Sequence, residues 1–313
     1  MSDLRQIPLF PGQPATTDEI NRHTTLNATV TLFLQHLNSD GKSQHTVKAF
    51  RSDLILLAEY SDGETPVGQY VTSGLNEFLH WLEHGRGVPC SRKSYARRVT
   101  TLKVYFKWLH GIGAIPYDPA KAVLQRSGPA PLSHVLDDAQ IKAALDVALG
   151  MRRNDEVDYR PAMLYWLLLD TGIKKSEAMR LVPGDIDRLN SERPVLTIRH
   201  KVRNVYKERR IALDPEWVRL FDQYLAQYQP EETIFNCTAR NLEYILSDVG
   251  AGADIPFKLS FEVMRWTSAV RDYLNGVDEE DIRDKLGLSE ASWYETGSKV
   301  KKLAEQITDR PAV

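Results

Sequence analysis

Apolar residues recur at three- and four-residue steps from about residue 27 onward, which is the spacing of one face of an α-helix. This spacing predicts three helices, over 44–57, 72–84 and 92–110. Ser43 precedes the first of them and is a residue type that commonly caps a helix N-terminus. Residues 1–26 are polar with scattered prolines, and we interpret them as a tail. The chain from 27 to 126 is therefore predicted to form a helical domain.

The pattern changes after this domain. Residues 127–135 begin with Ser-Gly-Pro-Ala-Pro and are predicted to be a linker. Beyond the linker, the spacing predicts helices over 137–148 and 160–169. Two short β-prone runs, 195–198 and 210–213, predict a β-hairpin with the stretch between them at its tip. Residues 136–313 are therefore predicted to be a second domain with both helices and a small sheet.

Helix-terminating signals mark the last third of the chain. Ser260 is placed to begin a helix that ends at Asn275-Gly276. Asp278 is placed to cap the next helix, so we interpret the acidic run 278–281 as a helix start and not as a metal site. The fold class predicted for the whole chain is mainly α with a small β-sheet, in two domains.

Composition limits the broad class of protein. Of 313 residues, 42% are hydrophobic and 26% are charged, as in an ordinary globular protein. The longest apolar runs, such as 163–169, are far shorter than the roughly 18 residues of a membrane span. The first residues lack the basic start and apolar core of a secretory signal. Two cysteines without a CxxC pair argue against a disulfide framework or a cysteine-based zinc site. These features predict a cytoplasmic protein with no membrane partner.

The local distribution of charge changes the picture given by the net charge of -2. Residues 91–107 contain six Lys or Arg and no acid, and residues 199–210 contain six with only Glu208. In the helix predicted over 92–110, the basic residues lie opposite the apolar face; they include Lys93, Arg97 and Lys107. A duplex attracts local basic stripes whatever the net charge. The alternatives are a merely solvated basic face or a helical scaffold that binds protein.

Several motifs, in this order, resemble the tyrosine site-specific recombinases, also called the phage-integrase family. In the first domain they are SQHTVKAFRSDL from Ser43, SYARRVTTLKVYFKWL from Ser94, and Pro119-Ala120. In the second they are Thr171-Gly-Ile-Lys-Lys-Ser-Glu177 and Gly184-Asp-Ile-Asp187. The resemblance implies a helical, SAM-like core-binding domain followed by a mixed α/β domain of the recombinase catalytic type.

The resemblance also implies a partner and a reaction. The partner is double-stranded DNA, bound by tetramers whose C-terminal segment docks on a neighbouring copy; residues 298–309 could do this or fold back on their own domain. A tyrosine attacks the scissile phosphate to form a 3′-phosphotyrosine, without a metal or other cofactor. The predicted DNA contacts are Lys48, Arg92, Lys93, Arg97, Lys107, Arg203 and Lys207.

Carried over position by position, the family's catalytic residues match this chain poorly. The first arginine falls on Lys174, and the hairpin lysine falls on Lys201, with Lys207 as a rival. The HxxR histidine falls on Glu262, while its arginine is retained as Arg265. The later histidine falls on Leu288. The tyrosine falls on Gly297, and the nearest tyrosine is Tyr294, three residues earlier.

These departures leave two hypotheses within the family. In one, the chain is an active recombinase with Tyr294 as nucleophile, Arg265 and Lys174 on the phosphate, Lys201 as general acid, and Glu262 in place of a histidine. In the other, it binds DNA without cleaving it and acts as an accessory or regulatory factor. Lysine lacks the planar fork of arginine, and an ionised glutamate opposes developing negative charge, so both changes weaken catalysis.

Structural roles are the alternatives for individual residues. Tyr294 could pack a C-terminal helix, Arg265 could form an ion pair, and Lys174 could be a solvated charge at a helix start. Lys201 could be only a phosphate contact. Glu177 and Asp185 are predicted to hold the helix and turn that present Lys174. Two tryptophans are predicted to be core or interface aromatics, Trp266 and Trp293.

Overall fold

A computed structural model describes residues 14–124, 131–202 and 205–309, and it confirms the predicted fold class. The chain divides into two compact units, residues 1–130 and 131–313. The first is helical. The second combines helices with two small antiparallel sheets.

Four α-helices build the first unit, with short 3-10 turns between them. They are α1 (Leu26–Ser39), α2 (Gln44–Ser61), α3 (Thr72–His80) and α4 (Arg92–Gly111). Ser43 caps α2 as predicted, accepting a hydrogen bond from the Thr46 amide. The helix predicted over 72–84 is α-helical only to His80, and a π-helical turn, Trp81–Gly85, continues it.

Aromatic side chains fill the centre of the first unit. Phe33 of α1 contacts Tyr105 and Trp108 of α4, with ring centroids 5.1 and 5.3 Å apart. The Tyr105 side chain is fully buried, and its hydroxyl forms a hydrogen bond with the Thr29 hydroxyl. The buried phenol oxygen therefore has a polar partner. Burial of the Tyr105 phenol raises its pKa far above the ordinary value. These contacts fix one face of α4 in the core and leave the other face to solvent.

The second unit contains eight helices and five strands within the described residues. The helices are α5 (Asp138–Gly150), α6 (Tyr159–Thr171), α7 (Lys175–Ala178), α8 (Pro215–Tyr228), α9 (Ala239–Gly252), α10 (Phe261–Leu274), α11 (Glu279–Lys285) and α12 (Glu290–Thr308). The strands are β1 (Arg152–Arg153), β2 (Glu156–Val157), β3 (Ile186–Asp187), β4 (Val195–Val202) and β5 (Val205–Ala212). As predicted, Ser260 caps α10 and Asp278 caps α11.

The predicted hairpin is confirmed, but it is longer than expected. Strands β4 and β5 pair antiparallel from Val195 with Ala212 to Val202 with Val205, and β3 joins β4 on its other side. The prediction that the whole basic stretch 199–210 forms the tip is therefore wrong. Most of the stretch lies within paired strands. Basic residues can occupy every second position of a strand without interrupting its backbone hydrogen bonds.

Helix α12 packs against its own unit. Val300, Leu303 and Ala304 are buried in a small core shared with α10 and α11. Of the two arrangements left open for residues 298–309, the structure has the segment folded back. Docking on another copy would first have to expose this apolar face to water.

Across the part of the chain that the structure describes, no helix combines the length and the apolarity needed to cross a bilayer.

Candidate functional site

Two of the predicted site residues lie close together in the second unit. Helix α6 ends at Gly172, whose φ of +56° is left-handed. Two residues later, the exposed Lys174 stands at the N-cap position of α7. Arg265 lies in the second turn of α10. Partial desolvation lowers the pKa of the Lys174 ammonium, and the nearby positive charge of Arg265 lowers it further. The structure therefore brings the two cations of the predicted phosphate clamp to one place.

Arg265 is held by backbone carbonyls. Its Nη1 donates to the Gly172 carbonyl, and its Nη2 donates to the Leu286 carbonyl at 2.6 Å. The expected alternative, a structural ion pair, is not what holds it. Burial lowers the pKa of the guanidinium to about 10. The two bonds use two of the five N–H groups, so the side chain is oriented with donors left over. An arginine fixed in this way fits an anion better than a freely moving one.

A buried ion pair lies beside these cations. Both carboxylate oxygens of Glu177 accept hydrogen bonds from Arg209 of β5, at 3.0 and 2.8 Å. Glu177 also accepts from the Lys174 amide at 2.8 Å, and Arg209 donates to the Lys285 carbonyl at 2.9 Å. Glu177 is 7% exposed. Burial alone would raise its pKa, but the bonds from Arg209 and the Lys174 amide outweigh that and hold the pKa below its ordinary value.

This pair confirms the predicted structural role of Glu177 and extends it. Because Glu177 contacts the start of α7 and Arg209 contacts the end of α11, the pair joins both to the hairpin. Asp185 has the expected role as well, accepting from the Val182 amide at 3.0 Å. No local pattern in the sequence distinguishes Arg209, because its partner lies 32 residues away.

The hairpin lysines are placed only by their backbone. Lys201 of β4 pairs with Tyr206, and Lys207 of β5 pairs with His200. Both predicted general-acid candidates thus lie within the last three residue pairs of the ladder. Arg203 lies outside the described residues. The roles of Lys201, Lys207 and Arg203 stay predictions.

The two positions where the family has histidines differ in their surroundings. Glu262 is exposed in the first turn of α10, where the helix dipole favours a carboxylate. Leu288 packs, partly buried, against the core formed by α10, α11 and α12. The same core takes the indoles of Trp266 and Trp293, which confirms that both are core aromatics. Leu288 is thus an apolar packing residue and has no atom for proton transfer.

The position of the family's tyrosine holds a glycine. Gly297 is buried in α12, and a Cβ added there would lie 3.0 Å from Cε2 of Trp293. A side chain at this position would therefore require the indole to move by a few tenths of an ångström. Tyr294, three residues earlier, is 87% exposed. The alternative that Tyr294 packs the C-terminal helix is wrong, because its neighbour Trp293 takes that place in the core.

The basic face of α4 also differs from the expectation. We expected no acidic partner, but Arg97 donates to Asp53 of α2 at 2.6 Å and to the Ala49 carbonyl at 3.0 Å. Asp53 is 3% exposed and also accepts from Thr101. Arg97, itself 38% exposed, thus pairs with a buried carboxylate of its own unit, and the expectation of an unpaired basic face is wrong at this position.

Four other cations of α4 form a stripe on one side of the helix, at about 100° per residue, whereas Arg98 is 11% exposed and lies beside Asp53. Arg92, Lys93 and Lys107 are exposed, and Lys103, which sequence analysis left out, is half-buried on the same stripe. Its spacing from Lys107 is the signal that could have identified it. Lys48 of α2 is exposed as well. The DNA contacts predicted for these residues stay predictions.

The chain is similar in sequence to known proteins. The model for the phage integrase N-terminal SAM-like domain matches residues 30–111. A tyrosine recombinase XerC of Xanthomonas campestris is 32% identical over 183 residues, which are 56% of this chain and 53% of that protein. The chain spans about half the length of the curated relatives it matches.

Solved structures extend the likeness in fold over most of the chain. The XerH site-specific recombinase, in a post-cleavage complex with a palindromic difH substrate, covers 90% of this chain and is itself covered to 84%, with a TM-score of 0.69 and 16% identity. A lambda integrase dimer bound to a COC′ core site covers 92% and is covered to 79%, with a TM-score of 0.68 and 14% identity.

Proposed function

Because the chain belongs to the tyrosine recombinase family, we propose that it binds double-stranded DNA and takes part in DNA recombination or integration. The fold neighbours support this, since XerH and lambda integrase are both seen bound to DNA. The cations of the α4 stripe, together with Lys174 and Arg265, are the residues we assign to the phosphate backbone. Self-association on DNA is part of the proposal, because the lambda integrase neighbour is a dimer.

We further propose that the chain binds DNA without cleaving it. The observation that carries this is the buried Gly297, which has no hydroxyl and stands where the family's nucleophile would be. The lost groups at Lys174, Glu262 and Leu288 point the same way, because each weakens transition-state stabilisation or proton transfer. Removal of one such donor costs on the order of 2.7–4 kcal/mol in other enzymes, so their combined loss would suppress turnover. The function is then that of an accessory or regulatory factor.

An active recombinase is the second candidate, and the exposure of Tyr294 is the observation that favours it. A hydroxyl on a side chain that is 87% exposed is free to meet a phosphate. In this case Tyr294 attacks the phosphorus, the 5′-oxygen leaves and takes up a proton, and Lys201 is the donor of that proton. Arg265 and Lys174 would hold the nonbridging oxygens.

A search for a covalent adduct separates these two candidates. The full chain is incubated with fragmented source-genome DNA, denatured with detergent, and examined for nuclease-sensitive retarded protein, with Tyr294→Phe beside it. We expect no adduct in either sample and salt-sensitive recovery of DNA under native conditions. An adduct that Tyr294→Phe abolishes would instead establish the active recombinase. An adduct that survives in Tyr294→Phe would mean that another residue attacks.

The DNA-binding role of α4 has its own test. Lys107→Glu should weaken binding to duplex DNA of any sequence, because the residue contacts phosphate and not a base. The slope of log affinity against log salt should fall in magnitude by about 1. Affinity is measured by fluorescence anisotropy at several salt concentrations. Lys142→Glu, an exposed lysine of α5 that is not a predicted contact, serves as the matched charge control. An unchanged slope in Lys107→Glu would remove α4 from the interface.

A further inference from the structure

A pair of histidines stands at the π-helical turn of the first unit, and neither is among the residues assigned above. The turn closes with a bond from the Arg86 amide to the Trp81 carbonyl at 2.9 Å, five residues apart. His80 comes just before the turn and His84 lies within it. Turns of this kind insert a residue into a helix at some cost in stability, and they often occur at functional sites.

Packing of Trp81 fixes this turn. The indole packs against the rings of Tyr60 and Phe78, with centroids 5.4 and 6.2 Å away, and those two rings are 5.6 Å from each other, so the three form one cluster. Gly85 passes beneath it so closely that a Cβ would come 2.6 Å from Cδ1 of Trp81. Only glycine fits there without moving the indole. The backbone that carries the two histidines is therefore held in place by aromatic contacts and is not a frayed helix end.

The two imidazoles face one open cavity of about 380 Å³, which Glu77 and Tyr60 also line. Their ring centroids are 4.7 Å apart, with an angle of 49° between the planes. Both side chains are exposed, so an ion can reach them from solvent. The arrangement gives two nitrogen ligands on one side of a rigid turn.

The separation of the rings fits a shared metal ion, provided that one nitrogen of each ring points at it. A metal lies about 2.0–2.1 Å from an imidazole nitrogen, hence about 3.2 Å from the ring centroid. Two such ligands at a right angle separate the centroids by about 4.5 Å, and at a tetrahedral angle by about 5.2 Å. The observed 4.7 Å is nearer to the right angle, which Ni²⁺ and Cu²⁺ adopt in square-planar or octahedral sites.

We propose that His80 and His84 chelate a divalent transition metal ion of the Ni²⁺ or Cu²⁺ class. Within the described residues, no group of three or more His, Cys, Asp or Glu side chains is arranged to hold a metal. The protein therefore supplies two ligands, and water completes the coordination. Glu77 lines the same cavity, where it can accept a hydrogen bond from metal-bound water. The site would join the end of α3 to the turn that follows it.

Titration of Ni²⁺ into the full chain, prepared without a tag, tests the proposal by calorimetry at pH 7.5. We expect one ion per chain, with affinity at least tenfold weaker in His80→Asn and in His84→Asn. His110→Asn, an exposed histidine on α4, is the matched control and should bind as the unsubstituted chain does. Equal weakening in His110→Asn, or full affinity in either single variant, would overturn the assignment.

A spectroscopic measurement on the unsubstituted chain keeps the test independent of variants that fold poorly. Bound Cu²⁺ should show electron paramagnetic resonance splitting from two equivalent nitrogens, since two imidazoles supply the ligands. Splitting from one nitrogen, or from backbone amides, would contradict the proposal.

Discussion

Replacing Arg209 with methionine should lower the free energy of unfolding of the second unit by about 3–5 kcal/mol. This is the usual cost of removing one partner from a buried ion pair, because the other charge stays buried without compensation. Arg209 and Glu177 are only 10% and 7% exposed, and Arg209 donates to both carboxylate oxygens of Glu177. The bond to the Lys285 carbonyl is lost as well.

The neighbouring residue provides the matched control. Arg210 is 62% exposed and lies 3.9 Å from Asp187, so Arg210→Met should cost less than about 1 kcal/mol. Hydrogen exchange of the full chain in urea, read separately for peptides of each unit, measures both variants. Equal effects for Arg209→Met and Arg210→Met would mean that the ion pair between Arg209 and Glu177 does not stabilise the second unit.

The penalty for Arg209→Met should also depend on pH. Because the folded-state pKa of Glu177 lies below its ordinary value of 4.5, its stabilising contribution is present above that value. It is lost as the pH falls through the lower, folded-state pKa. The difference between the variant and the unsubstituted chain should therefore be largest near neutral pH and should shrink below about pH 4.5. A difference that stays constant with pH would show that packing, and not charge, is what Arg209 supplies.

Much of the fold was predictable because its signals are local. Helical spacing and caps such as Ser43, Ser260 and Asp278 act within one turn of the chain, and each places an element close to where it is observed. The hairpin was found from two β-prone runs. Its length was underestimated because pairing in a ladder depends on the partner strand as well as on the propensity of each run.

The contacts that form the site were not predictable in the same way. Arg209 meets Glu177 across 32 residues, and Arg97 meets Asp53 across 44. One signal for the second pair was present in the sequence. Asp53 lies among Phe50, Leu54 and Leu57, on the apolar face of its helix, where a carboxylate needs a partner. An acidic residue inside an apolar stripe therefore predicts that a cation elsewhere in the chain forms an ion pair with it.

Asp53→Ala should destabilise the first unit by about 3–5 kcal/mol, the other large effect that we expect. The variant leaves Arg98, which is 11% exposed and 3.7 Å from Asp53, without its carboxylate. It also removes the acceptor for Arg97 and for the hydroxyl of Thr101. Glu59→Ala, an exposed acid on the same helix, should change stability by less than about 0.5 kcal/mol. Urea unfolding with hydrogen exchange of the first unit's peptides provides the comparison.

The same ion pair decides whether Arg97 also contacts DNA. The Arg97 guanidinium donates to the Asp53 carboxylate and to the Ala49 carbonyl, so it would have to give up these bonds to bind a phosphate. Arg97→Met should therefore lower the stability of the first unit and leave the salt dependence of DNA binding as it is, the reverse of the pattern expected for Lys107→Glu. If Arg97→Met instead reduces the slope by about 1 and leaves stability unchanged, then Arg97 exchanges Asp53 for phosphate on the duplex. In that case the basic face of α4 would extend to this residue after all.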